Sequence, residues 1–313
     1  MPPPPSPPPT HPLHHNHHHY HHTSNGTTLS GAESGNALLR GCAGQSEYAG
    51  ERHGWRKPIV AVVAVYKEWT SAIPAWACPD EAANYTVAPF YQRLDPSAPR
   101  FVPNFANEAG VYLKFVVDHY WHLPELTAFV QADAGNEHLH YAKSGVRGVP
   151  VSRRIGSLNV AAIREAGVGY LPLADLALQR ATSFWRQRGY AADVKDCWLR
   201  VASWFGHPEA FQGMREPTVT VYCCNYFAAT RENIRRIPWH TWNHVYQALV
   251  VNGTCHDVPA YTTVIAPDRD RGKHEAAGAF EHLAHLIWGG SEQTAHYSGP
   301  HWNESYGRRQ RRR

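Results

Sequence analysis

The stretch from Asn104 to Asp133, N-F-A-N-E-A-G-V-Y-L-K-F-V-V-D-H-Y-W-H-L-P-E-L-T-A-F-V-Q-A-D, constrains the fold of this chain more than any other. Apolar residues at Val111, Tyr112, Phe115, Val116 and His119/Tyr120 recur near the spacing of one helical face, so the pattern predicts an amphipathic helix. Pro124 stops it, because proline lacks the N–H that a continuing helix needs. Beyond the proline the period changes. Thr127-Ala-Phe-Val-Gln131 is a continuous run suited to a strand covered on both faces. Helix, tight connection, buried strand and an acid at its tip make half of a layered α/β fold. In open sheets of that kind ligands bind beyond the carboxyl ends of the strands.

Composition sets the extent of the folded part. Residues 1–54 are rich in Pro, His, Ser and Gly and carry almost no apolar periodicity, so they cannot offset the entropy of ordering and are expected to be a disordered tail. Residues 292–313 are expected to be a flexible Arg-rich tail, which leaves 55–291 for a single α/β domain. No run approaches the ~20 apolar residues of a membrane span. The best candidate, Ile59–Tyr66, has the length of a strand.

The formal charge of +4 invites a nucleic-acid reading. Five of the basic residues are arginines of the final R-R-Q-R-R-R, and removing them leaves a body near −1. Such a tail attracts phosphate, but no recognition motif accompanies it, so nucleic acid is disfavoured as a partner. Eight of the 22 histidines lie between His11 and His22, in a tract read as a low-complexity linker rather than a metal site. The six cysteines, Cys42, Cys78, Cys197, Cys223, Cys224 and Cys255, form no C-x-x-C pair, which argues against a zinc ribbon or a thioredoxin-like motif. Cys223 and Cys224 are read as small buried hydrophobes. Sequons beginning at Asn25, Asn84, Asn252 and Asn303 permit the secretory pathway, although the Pro-rich start does not have the pattern of a signal peptide.

The remaining elements follow from local pattern. Strands are expected over Ile59–Tyr66, Tyr85–Gln92 and Thr218–Tyr226, a strand or extended turn over Gly169–Leu173, and short helices over Ser157–Ala166 and Arg231–Arg236. Further helices are expected between Asp175 and Trp204, over Trp239–Val250, and over Glu275–Trp288 with Gly289-Gly290 as its stop. Together these give a three-layer α/β sandwich with a mostly parallel central sheet. No G-x-S-x-G elbow, P-loop or G-x-G-x-x-G follows a strand, so hydrolase, kinase and dinucleotide-oxidoreductase readings lose support.

Three ordered blocks resemble the fungal, plant and algal domain-of-unknown-function family numbered 3431. They are the opening stretch (N-x-x-x-E-A-x-x-Y-L, D-H-Y-x-x-L-P and T-x-F-V-Q), C-C-N-Y-F-A-A-T-R-E-N-I-R-R-I-P from Cys223 to Pro238, and F-E-H-L-A-H-L-I-W-G from Phe280 to Gly289. The family usually has glycine where Ala106 stands, so a positive-φ position is expected to be altered there. It also usually has an aromatic at Ala284, and a His-bearing motif after the buried strand where this chain has Gln131-Ala-Asp133. The order of elements is similar to that of the Rossmann-like, A-type nucleotide-sugar glycosyltransferases, an analogy of fold.

That resemblance gives the acids their candidate roles. Asp133 stands where an A-type transferase places D-x-D, so a divalent cation, Mg²⁺ or Mn²⁺, is an open expectation there, with one acid in place of two. Asn104 is either the N-cap of its helix or a substrate-binding residue, and Arg231 of the second block is a further substrate-binding candidate. Glu108 is either a first-turn carboxylate favoured by the helix dipole or a catalytic residue that holds the donor or a sugar hydroxyl, or acts as the general base. Glu281 and His285, four apart on one helix, form a base with its orienting partner, two metal ligands, or a structural polar pair. The cluster Glu137, His138 and His140 is read as a polar loop, with a zinc site completed by one further ligand as the alternative, and Asp268-Arg-Asp270 is read as a solvated loop. Two functions remain. One is a glycosyltransferase-like enzyme acting on a nucleotide sugar and a carbohydrate or protein acceptor. The other is a non-catalytic carbohydrate-binding or interaction protein on a decayed transferase scaffold.

Overall fold

The structure, a computed structural model, describes residues 54–66, 68–69, 73–88, 90–94, 96–97, 100–134, 150–173, 179–181, 192–208, 219–221, 225–255 and 275–289. The expectations for both tails, the His-rich tract, Glu137/His138/His140, Cys223–Cys224 and Asp268–Asp270 lie outside these residues.

The sheet grows from β1, Ile59–Val65, every residue of which is buried. Its alternation divides two cores. Val60, Val62 and Ala64 belong to one, while Ile59, Ala61, Val63 and Val65 belong to the other. Then come β2 (Tyr85–Val87), β3 (Tyr91–Gln92), helix α1 (Asn107–His119) and β4 (Leu126–Gln131). Helices α2 (Val151–Ser157) and α3 (Val160–Glu165) precede β5 (Tyr170–Pro172), β6 (Gln179–Ala181) and helix α4 (Ala192–Trp204). Strands β7 (Val219–Val221) and β8 (Phe227–Thr230) are followed by helices α5 (Arg231–Arg235), α6 (Trp239–Tyr246) and α7 (Glu275–His282).

The main sheet has the order β2-β1-β4-β8-β5, with β3 beside β2 on the same edge of β1. Strand β1 pairs in parallel with β4 from Ile59↔Leu126 to Ala64↔Gln131, and in parallel with β2 and β3. Strand β8 runs against both neighbours, from Leu126↔Thr230 to Phe129↔Phe227 and at Tyr170↔Ala229. The result is an open mixed α/β sheet in which β8 alone among these six strands is reversed. Strands β6 and β7 form a separate antiparallel pair.

Helices cover both faces. On one, α1, α4, α6 and α7 pack over Val60, Val62, Phe129 and Phe227. On the other, Val151 and Ile155 of α2 and Ile163 of α3 cover Ile59, Ala61 and Ala128. An aromatic column fills the first core: Tyr112 lies 5.0 Å from Phe129, Phe129 lies 4.8 Å from Trp288, and Trp288 stacks on Trp242 at 4.6 Å. Each such pair adds about 0.5–1.5 kcal/mol beyond its area burial.

Several boundaries differ from the sequence expectation, each for a local reason. The expected strand Tyr85–Gln92 is two short strands, and Pro89 in the sequence between them has no N–H to continue a ladder. Helix α1 passes into a 3₁₀ turn, Tyr120–His122, and Leu123 before Pro124 is extended at φ −58° and ψ 143°, as the proline ring requires. The expected helix Ser157–Ala166 is the end of α2 and then α3, which restarts on the side chain of Asn159, an N-cap accepting from Ala162 N. The expected strand Thr218–Tyr226 shortens to β7, and a second strand begins at Phe227. The last helix changes to a π-helical turn at His285–Gly289.

Disulfides were not legible in the cysteine spacing. Cys197 of α4 is joined to Cys255 beyond α6, 58 residues later, and Cys78 is also disulfide-bonded. Among the described residues no cysteine is free.

Candidate functional site

Five segments bring polar groups to the edge where β1 and β4 end. Asp133 lies two residues past β4, and Tyr226 immediately precedes β8, whose first residue pairs with Phe129. Arg93 follows β3, and its Nε donates to the carbonyl of Val65 at the end of β1, at 3.4 Å. Helix α1 starts at this edge, with Glu108 in its first turn, where the N-terminal partial positive charge favours a carboxylate. Helix α7 contributes Glu281.

The buried phenol of Tyr112 is the centre of this group. Its hydroxyl donates to the carbonyl of Asn225 at 3.1 Å. Burial drives its pKa well above the ordinary tyrosine value, and the negative charges of Glu108, Asp133 and Glu281 add to that while Arg93 opposes it. The charges of three sequence candidates thus act on one side chain. Tyr226 behaves alike: its hydroxyl donates to Oδ1 of Asp133, and burial first, then the Asp133 charge and that bond, raise its pKa. Both tyrosines therefore remain protonated donors at any ordinary pH.

Arg93 supplies the positive charge. It is only 6% exposed, its Nη1 donates to Oδ1 of Asn104 at 3.1 Å, and it reaches Glu108 at 4.0 Å. Its guanidinium also lies over the ring of Tyr66 at 5.3 Å. Asn104 is therefore not the N-cap of α1. That position is Ala106, which provides no side-chain cap. The alanine is buried at φ −121°, and the positive φ falls on the next residue, Asn107, at 47°. Asn225 is a second left-handed residue, at φ 52°. Strain of this kind costs about 1–3 kcal/mol and concentrates at functional sites. Here one such residue opens α1, and the other presents its carbonyl to Tyr112.

The other candidates are placed differently. Arg231 begins α5 at the opposite edge, where its Nε donates to the carbonyl of Pro124 at 3.3 Å. Because β4 has six residues, the sheet separates Arg231 from Asp133 by roughly 20 Å. Open clefts of about 470 Å³ beside Trp121, Arg231 and Arg235, and of about 320 Å³ beside Arg164 and Asn233, also lie at that edge. Charge rather than cleft volume places the candidate site, because Glu108, Asp133 and Glu281 gather at the other end. His285 opens the π-helical turn after α7, and its side chain lies outside the described residues. Among the described residues no group of three His, Cys, Asp or Glu side chains could hold a metal ion. Asp133 accepts a bond from Tyr226, and its carboxylate is the oxygen donor at this edge whose chemistry fits a hard cation.

Sequence reasoning missed Arg93, Tyr226 and Asn225. Arg93 follows a two-residue strand and has no motif around it. Asn225-Tyr226 lies inside the second block, and the asparagine, a residue that tolerates φ > 0, was the available signal.

The model of the family described as "Protein of unknown function (DUF3431)" matches residues 62–298. Comparison with curated proteins finds no match, and comparison with solved structures finds none.

Proposed function

The chain belongs to the DUF3431 family, whose description carries no activity, and from the site itself we propose a glycosyltransferase-like enzyme that moves a sugar from a nucleotide sugar to a hydroxyl acceptor. The observation that carries this reading is the gathering of Glu108 beside Arg93, Asp133 beside Tyr226, and Tyr112 bonded to Asn225, at the carboxyl edge of a largely parallel sheet. The charges at that edge, Glu281 included, act on Tyr112. That edge is where open α/β folds bind their ligands.

The chemistry divides among these side chains. Glu281 accepts the proton of the acceptor hydroxyl, whose oxygen forms a bond to the anomeric carbon. The bond from that carbon to the diphosphate breaks, and the nucleoside diphosphate leaves with the electron pair. The developing charge meets the Arg93 guanidinium and the N-terminal turn of α1. A bound Mg²⁺ or Mn²⁺ would neutralise diphosphate charge, with the Asp133 carboxylate as the candidate ligand for it. Glu108, held at 4.0 Å by Arg93, is suited to a donor hydroxyl, which leaves the base role to Glu281.

The test is a thermal-shift screen of nucleotide sugars with and without Mn²⁺, followed by turnover with the donor it finds. A donor-dependent rise in melting temperature and a Glu281→Gln variant at least about 100-fold slower support the reading. Turnover unchanged by Glu281→Gln refutes the base assignment. The non-catalytic alternative, a carbohydrate-binding protein on the same scaffold, is favoured by the single acid at Asp133 with one oxygen already engaged. In that case a sugar shifts the melting temperature without Mn²⁺ and no transfer is seen.

A further inference from the structure

Two of the four N-x-S/T sequons fall within the described residues, and their surroundings are opposite. Asn84-Tyr85-Thr86 is sealed. Its Nδ2 donates to the carbonyl of Leu158 at 3.3 Å, its Oδ1 is buried, and Tyr85 and Thr86 lie in β2 at 8% and 3% exposure. Asn252-Gly253-Thr254 is open. Asn252 is exposed at the end of the π-helical turn Gln247–Val251, and among the described residues no group bonds its side-chain amide. Gly253 turns the chain at φ 65°, which needs glycine, and Thr254 is partly exposed one residue further on. Both ends of this turn are fixed by backbone bonds, Asn252 N to the carbonyl of Gln247 and Thr254 N to the carbonyl of Ala248, each at 2.8 Å. The side chain of Asn252 thus projects from a rigid corner.

A second observation bears on the compartment. Cys255, directly after this sequon, is bonded to Cys197, and Cys78 is disulfide-bonded too. Disulfides at every described cysteine fit an oxidising compartment and not a reducing cytosol. That is the environment in which asparagine-linked glycosylation occurs. Beside the sequon Val251 is 46% exposed, an apolar surface that a glycan would cover.

We propose that Asn252 is an N-glycosylation site and that Asn84 is not. The co-reactant is a polyisoprenyl-diphosphate-linked oligosaccharide. The amide nitrogen Nδ2 of Asn252 forms a bond to the anomeric carbon of the first sugar. The bond from that carbon to the diphosphate oxygen breaks, the polyisoprenyl diphosphate departs with the electron pair, and the amide proton passes to the transferase. Thr254 supplies the hydroxyl that the sequon requires. The glycan then stands beside the Cys197–Cys255 bond.

The experiment is to secrete the full chain from a eukaryotic cell behind a cleavable leader and map peptides before and after treatment with peptide N-glycosidase. The expected result is a glycan on the peptide containing Asn252, deamidation at position 252 on enzymatic release, and an unmodified Asn84 peptide. Asn252→Gln and Thr254→Ala each remove that glycan, while Thr254→Ser retains it. Secreted protein with the Cys197–Cys255 bond formed and an unmodified amide at position 252 overturns the proposal. So does modification at Asn84 in place of Asn252.

Discussion

Replacing Tyr112 by phenylalanine removes one oxygen from the centre of the site and leaves the ring in place. The ring keeps its contacts with Phe129 at 5.0 Å and Phe227 at 5.9 Å, so the apolar burial is unchanged. What disappears is the 3.1 Å bond to the Asn225 carbonyl, between residues 0% and 3% exposed. Leaving a buried acceptor without its donor costs about 1–3 kcal/mol. Asn225 sits at φ 52°, and release of that strain on losing its donor limits the loss to the lower half of this range. At roughly 2–4 °C per kcal/mol for a domain of this size, the melting temperature of Tyr112→Phe falls by about 2–8 °C. Urea denaturation of both proteins, with slopes compared, measures the difference directly. A midpoint indistinguishable from wild type at equal slope refutes the role of this hydroxyl as the tie between α1 and the segment carrying Tyr226.

Three further perturbations have definite outcomes. Burial, against Trp55 and Phe115, lowers His119 from 6.5 to about 4, so the folded protein keeps it neutral where the unfolded chain takes up a proton. Its contribution to stability is complete above 6.5 and lost as pH falls towards 4, so melting curves of His119→Phe between those values should fall less steeply than wild type. Removing the Cys197–Cys255 bond with a double alanine variant frees a loop with a sequence separation of 58, worth about 4 kcal/mol in the chain-entropy model, measurable by denaturation against the oxidised wild type. In Gly169→Ala the new Cβ meets the Asn233 side chain at 2.5 Å and displaces it from Arg236, whose Nη1 bonds it at 3.0 Å. A loss of about 1–3 kcal/mol is expected, and wild-type stability would show that Asn233 moves freely.

The parts of the fold written in side-chain periodicity were legible. Ile59–Val65, Leu126–Gln131 and the α1 face from Val111 to Val116 are long apolar patterns, and the structure buries them as strand and helix. The reversal of β8 was not legible, because strand direction depends on how Tyr170–Pro172 and Phe227–Thr230 are paired and not on their composition. Glu108, Asp133 and Glu281 were individually visible as acids at element ends, whereas their meeting around Tyr112 required the tertiary arrangement of α1, β4 and α7. Arg231 shows the limit of position in a motif: it sits at a helix start as expected, but at the edge where β4 begins. Cys197 and Cys255, 58 residues apart, carried no spacing signal for their bond.

The central claim is that a nucleotide sugar binds at the edge of the sheet bearing Asp133. Calorimetric titration of wild type, Asp133→Asn and Arg231→Gln with the nucleotide sugar selected by the thermal-shift screen, in the presence of Mn²⁺, tests it most directly. The account predicts at least a tenfold loss of affinity, about 1.4 kcal/mol, in Asp133→Asn and wild-type affinity in Arg231→Gln. Undiminished binding by Asp133→Asn together with lost binding by Arg231→Gln would contradict it and move the site to the opposite edge.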